Sequence, residues 1–181
     1  MSWTLHLRTI GNPWADAALL TGGRALYVAQ AFEEKCRSLL RFAYLVEAVD
    51  ADPVAQLTEL IASIPNDRML KQTLDELDRL HPDARRQPNA LARAREARNY
   101  VAHEGLRFGI HDERAFGLVE QLGNLRRHVK ELATGDNLVS TWSFRLHEPR
   151  ESLPRALIDA YESRIDKWVF EPVWDLVEPN S

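Results

Sequence analysis

The chain has 181 residues, of which 45% are hydrophobic and 28% are charged. This balance is typical of a globular domain and excludes intrinsic disorder as a description of the whole chain. The formal net charge of -4 excludes a surface that is basic throughout, as in a general nucleic-acid binder. A single cysteine excludes an intrachain disulfide and a cysteine-rich metal site.

The N-terminal sequence and the hydropathy pattern give no indication of export or membrane insertion. The first residues, MSWTLHLRT, lack the charged and continuously apolar regions of a secretory signal. No apolar run reaches the roughly 20 residues that span a bilayer. We therefore expect a cytoplasmic protein that does not associate with membranes.

Helical periodicity dominates the first half of the chain. Between Gly23 and about Ala48, apolar residues recur three and four positions apart, as on a core-facing helix. Asp52-Pro53 predicts the start of a second helix, whose inward side chains are Val54, Leu57, Leu60 and Ile61. A third helix is predicted from Asn66 or Asp67 to Leu80, because His81-Pro82 ends it. Its apolar stripe comprises Met69, Leu70, Leu74, Leu77 and Leu80.

The second half of the chain predicts three more helices. Pro88 and Asn89 open a fourth helix that runs to about Glu104 and stops at Gly105. A fifth helix is predicted from Asp112 to about Ala133, before a break at residues 134–136. The last helix covers roughly residues 153–170, with an apolar face of Leu157, Ile158, Tyr161, Ile165 and Trp168.

Two short segments, residues 3–8 and 141–146, alternate apolar and polar side chains instead. This period of two is typical of strands, and a single strand is not stable alone, so we expect the two to pair. The predicted fold is all-α, an up-and-down bundle of four to five helices with a small two-stranded β element and a C-terminal helix. We divide the chain into an N-terminal extension (1–22), a helical bundle (23–134) and a C-terminal extension (135–181).

Positive charge is concentrated in residues 84–107. This segment holds six arginines against two glutamates, a net charge of +4, which leaves -8 for the rest of the chain. Within it, Arg98-Asn99 is followed by His103 after four intervening positions. This pattern resembles the signature of HEPN domains, in which an arginine and a polar residue precede a histidine. The motif match covers about six residues, and the helical pattern extends the resemblance loosely over residues 23–133.

The resemblance implies a helical bundle with the motif in a late helix. It also implies a metal-independent endoribonuclease that acts as a homodimer, with two copies of the motif in one cleft, and a role as a toxin or defence effector. A protein partner such as an antitoxin is a further implication. HEPN proteins that do not cleave RNA supply the alternative, a non-catalytic module that binds RNA, a nucleotide or a protein. A purely structural bundle is the third interpretation.

The residue types of the motif suit RNA cleavage by the substrate's own 2′-hydroxyl. His103 can act as a general base or acid near neutral pH, and Arg98 can hold phosphate oxygens. Asn99 can orient the histidine or bind phosphate. On one helix Arg98 lies about 100° from Asn99, which shares a face with His103, so one helix does not focus these groups tightly, whereas two subunits related by a two-fold axis could. The remaining arginines would contact the RNA backbone: Arg93, Arg95, Arg85 and Arg86.

Acidic residues are candidates for supporting this site. The resemblance implies an acid from an earlier helix, and Glu33 and Glu34 both qualify, although solvent exposure explains either one. Glu104 could tune the adjacent histidine. His103-Glu104 and His111-Asp112 lack the spacing of a metal site, so we expect no metal and no cofactor.

Overall fold

The computed structural model describes residues 13–54, 56–65, 69–80, 89–105 and 115–177, and within these ranges the regular structure is entirely helical. The helices are α1 (Pro13–Ala51), α2 (Leu57–Ser63), α3 (Leu70–Leu80), α4 (Ala90–His103), α5 (Ala115–His147) and α6 (Arg155–Phe170), and a 3-10 turn (Glu171–Val173) leads into α7 (Trp174–Val177). The predicted all-α class is therefore confirmed. None of these described helices is long and apolar enough to cross a membrane.

Contacts between residues of different helices show how the helices run. The two longest, α1 and α5, run in the same direction, because Lys35 meets Asp136 (Nζ to Oδ1, 2.7 Å) and, further along both helices, Phe42 stacks on His147. Helices α4 and α6 run opposite to α5. The contacts that set these directions are Arg93 with Glu131, Tyr100 with His128, Asn137 with Ile158 and Arg126 with Asp166. In chain order, α1, α4, α5 and α6 therefore alternate in direction.

The core lies where these four helices and α3 face one another. Its largest fully buried side chains include Trp142, Phe32, Phe170, Leu39, Leu77, Leu122, Leu125 and Leu132. Cys36 is also fully buried, as the helical spacing of α1 predicts. This core fixes α4 against both α1 and α5, which positions the motif.

Helix α5 does not break at residues 134–136, so that prediction is wrong. It continues without interruption to His147. Gly135 lies inside the helix at its contact with α4, where a Cβ atom would overlap the side chain of Ala94. The glycine therefore permits close helix packing and does not end the helix. Asp136 is buried and accepts hydrogen bonds from Lys35 and Tyr161.

The predicted pairing of two strands is also wrong, because one of the two segments is helical. Residues 141–146 belong to α5, and their alternation hides a helical pattern in which Trp142 is buried with Val139. The predicted partner strand at residues 3–8 lies outside the described residues. The division at residue 135 therefore cuts through a continuous helix.

One other boundary and two helix faces differ from the predictions. Helix α1 begins at Pro13, ten residues before the expected start at Gly23, because proline suits the first helical turn. On α6, observed within two residues of its predicted start, Val169 and Phe170 are buried while Leu157 and Trp168 are exposed. Helix α2 buries none of its residues, so its predicted inward face is wrong.

Candidate active site on helix α4

Helix α4 is a closely packed support for the motif. It follows Asn89, whose φ of 66° is a left-handed conformation that asparagine tolerates better than most residues. Its buried face consists largely of alanines, which let α5 approach at Gly135. At the other end, the backbone N–H groups of Glu104 and Gly105 both donate to the carbonyl oxygen of Tyr100, at 2.7 and 2.9 Å. These two hydrogen bonds close the helix directly after His103.

Arg98 extends from α4 toward α1, where its guanidinium forms an ion pair with the carboxylate of Glu33. Glu33 is only 9% exposed and also pairs with Arg37, one turn further along α1. The Nη1 atom of Arg98 donates a hydrogen bond to Oδ1 of Asn99 at 3.2 Å. Two partners therefore fix the orientation of Arg98, and Asn99 contacts the arginine rather than the histidine.

His103 is the last residue of α4 and its side chain is exposed. It makes no hydrogen bond or ion pair with any residue in the described ranges. At about 100° per residue, the offset of five positions from Arg98 to His103 places them about 140° apart around the helix axis. In one chain the arginine therefore faces α1 while the histidine faces solvent on the other flank of α4.

An aromatic pair lies on the α5 side of α4. The Tyr100 and His128 rings are stacked, with centroids 3.9 Å apart and an interplanar angle of 22°. Burial and the charge of Arg127 lower the pKa of His128, and burial and the charge of Glu104 raise the pKa of Tyr100. The sequence does not predict this pair, because it depends on the register between α4 and α5.

The other predicted basic residues are only partly brought together. Arg93 pairs with Glu131 across the α4–α5 contact, with 2.7 Å between Nε and Oε2. Arg95 is half-buried, and Glu104 is exposed beside His103. Arg85 and Arg86 lie outside the described residues. Glutamates therefore offset the positive charge of both Arg93 and Arg98, which leaves a smaller basic surface than the sequence suggests.

The described residues contain no cluster of side chains suited to binding a metal ion. Among the described residues, no three histidine, cysteine, aspartate or glutamate side chains are grouped so that they could hold a metal ion. Glu33 is occupied by two arginines. His111 and Asp112 lie outside the described ranges.

The candidate site therefore has an oriented guanidinium on one side of α4 and an exposed imidazole on the other. Its residues are Arg98, Glu33, Asn99 and His103. Comparison with protein-family models, with curated protein sequences and with solved structures gave no match to the chain.

Proposed function

We propose that the protein is a metal-independent endoribonuclease of the HEPN type that acts as a homodimer. One observation carries the proposal: Glu33 on α1 fixes Arg98 on α4, while His103, also on α4, is exposed and makes no hydrogen bond or ion pair with the residues that the structure describes. RNA cleavage needs both conditions, since the cation must be positioned on a phosphate and the imidazole must be free to exchange protons.

The proposed reaction uses the 2′-hydroxyl of the RNA as its nucleophile. One His103 imidazole accepts the hydroxyl proton as the 2′-oxygen attacks phosphorus. The bond from phosphorus to the 5′-oxygen then breaks, and a second imidazole, protonated beforehand, donates its proton to the leaving oxygen. The products are a 2′,3′-cyclic phosphate and a 5′-hydroxyl. Arg98 stabilises the charged phosphorane between these steps.

The angular separation of the two residues supports the homodimer. Because Arg98 and His103 diverge by about 140° around α4, one chain does not direct both toward the same phosphate. A two-fold axis near the exposed face of α4 would bring Arg98 of one subunit toward His103 of the other. The same arrangement would bring two imidazoles into one cleft, which supplies both the base and the acid.

Glu33 acts in this proposal as a positioning residue. It is buried against two arginines and does not need to touch the RNA. Asn99 assists by accepting a hydrogen bond from Arg98. Arg95, Arg93, Arg85 and Arg86 would contribute salt-sensitive contacts to the RNA backbone.

The second candidate function is a non-catalytic binding module. The ion pairs that Arg93 and Arg98 form with glutamates favour it, because they reduce the positive charge available to a polyanion. In this interpretation the pair between Glu33 and Arg98 fastens α4 to α1.

Cleavage of end-labelled RNA in excess EDTA distinguishes the two functions. The wild-type protein should produce cyclic phosphate ends, and His103→Ala should lower the rate by about 100-fold or more. His147→Ala is the matched control, because His147 is also exposed but lies at the far end of α5. A wild-type protein without activity, or a His103→Ala variant as active as wild type, would leave only the non-catalytic function.

A further inference from the structure

The C-terminal end of α1 projects beyond the four-helix bundle. Its last ring contact with α5 joins Phe42 to His147, which is the final residue of α5. Helix α1 continues to Ala51, and α2 then follows it. We name residues 46–54 and 56–65, together with Met69, the acidic tip.

The acidic tip exposes apolar side chains that the core does not use. Val54 is 93% exposed, Leu57 55%, Ile61 41% and Met69 66%, and Val46 and Val49 are exposed as well. None of the residues of α2 is buried. A seven-residue helix is only marginally stable in water without packing partners, and clustered apolar exposure marks interaction sites. Leu57 and Ile61 are four positions apart and therefore lie on one face of α2.

The charges of the acidic tip all have one sign. Residues 46–65 contain four acidic side chains and no lysine, arginine or histidine, the four being Glu47, Asp50, Asp52 and Glu59. None of these forms an ion pair with another residue of the described ranges. Among the four, Glu47 is close enough to Arg79 on α3 for their charges to interact. The apolar side chains are thus bordered by a net negative charge.

This sign restricts what can bind there. Nucleic acids and anionic membranes would be repelled, and a symmetric contact with a second copy would bring two negative surfaces together. A head-to-tail contact with the arginine-rich segment of another copy would build a ring or an open filament, whereas the proposed function requires a two-fold dimer. A positively charged segment with one apolar face satisfies both features of the surface.

We propose that the acidic tip binds a basic amphipathic helix of a partner protein, with apolar side chains on Leu57 and Ile61 and lysines or arginines against the four carboxylates. This surface lies apart from Arg98 and His103, and its binding does not depend on RNA cleavage. It supplies a function for the apolar residues of α2, which contribute nothing to the core.

The test measures fluorescence anisotropy of a labelled peptide of about 18 residues, made of leucine and lysine with leucines three and four positions apart. The full-length protein should bind it saturably, with a Kd on the order of 10 µM that rises with salt. Leu57→Ser with Ile61→Ser should weaken binding by about tenfold or more. Glu47→Gln with Glu59→Gln should reduce both the affinity and its dependence on salt.

Two controls make the result specific. Leu157→Ser removes an exposed leucine outside the tip and should bind like wild type. A peptide of leucine and glutamate with the same spacing should not bind. Because α2 buries no residue, the double serine variant should keep the wild-type melting temperature.

Three results would overturn the proposal. The first is that the leucine–lysine peptide does not bind the wild-type protein saturably. The second is that the leucine–glutamate peptide binds as tightly as the leucine–lysine peptide. The third is that the double serine variant binds the leucine–lysine peptide as tightly as wild type does. Self-association of the wild-type chain in light scattering, abolished by the same double variant, would assign the surface to a second copy instead and would also overturn it.

Discussion

Glu33 and Arg98 form an ion pair at the contact between α1 and α4, although they are far apart in the sequence. The carboxylate is buried, and Arg37 holds it from the other side. A buried carboxylate is stable as a charge only when it is paired and hydrogen-bonded. The pair therefore couples the position of a motif residue to the packing of the two helices.

Glu33→Gln tests this coupling. We expect loss of about 1–2 kcal/mol of unfolding free energy, less than for a fully buried pair because both arginines are partly exposed. In the RNase assay, kcat should fall by about tenfold or more while KM changes little, because Arg98 loses its orientation in the transition state. Glu34→Gln, an exposed neighbour, should change neither quantity, and Glu33→Asp should retain part of the activity. Full activity in Glu33→Gln would remove the positioning role.

Gly135→Ala should loosen the contact between α4 and α5. A Cβ atom at this position overlaps the side chain of Ala94, so we expect a loss of about 1–3 kcal/mol in urea unfolding followed by tryptophan fluorescence. Gly123→Ala is the matched control on the same helix, because nothing lies within 4 Å of its Cβ position. That change should stabilise the protein by up to about 1 kcal/mol. Equal stability of the two variants would contradict the close approach at Gly135.

His128 should make stability depend on pH. Burial lowers the pKa of His128 from its ordinary value of 6.5, so the unfolded chain binds a proton more readily than the folded one. The contribution to stability is therefore complete above pH 6.5 and is lost as the pH falls. His128→Phe keeps a ring that can stack on Tyr100 but removes the titration. Urea unfolding at pH 5.5 and 7.5 should show a smaller pH-dependent loss for this variant, and an identical loss in both proteins would refute the assignment.

The Cys36 thiol should be unreactive in the folded protein. Burial raises the pKa of Cys36, and the nearby charge of Asp136 raises it further, so the reactive thiolate is strongly disfavoured. A thiol-specific reagent should label the native protein slowly and the urea-unfolded protein rapidly, with mass spectrometry as the readout. Rapid labelling under native conditions would show that this part of the core opens locally.

The sequence predicts features that depend on local periodicity. The helical class, the position of α4 within one or two residues and the buried stripe of α1 around Cys36 all follow from spacing alone. The break predicted at Gly135 is wrong because a glycine that permits close packing looks the same in sequence as one that ends a helix. The apolar residues of α2 have the spacing of a core-facing helix, so periodicity alone predicts that they are buried. In the fold, none of the residues of α2 is buried.

Part of the candidate site can also be predicted from the sequence. Arg98, Asn99 and His103 can be selected from the motif, and Glu33 only as one of two adjacent glutamates. Its choice over Glu34 depends on which side of α1 faces α4, a tertiary contact that the sequence does not specify. The stacking of Tyr100 on His128 depends likewise on helix register.

The most direct test of the shared cleft is the RNA cleavage rate of an isolated heterodimer of wild type and His103→Ala, purified with two different affinity tags. If one cleft uses His103 from both subunits, the heterodimer should retain less than about a tenth of the wild-type rate. A heterodimer with His147→Ala, the matched control, should keep the full rate. About half the wild-type rate in the His103→Ala heterodimer would show that each subunit acts independently and would contradict the composite site.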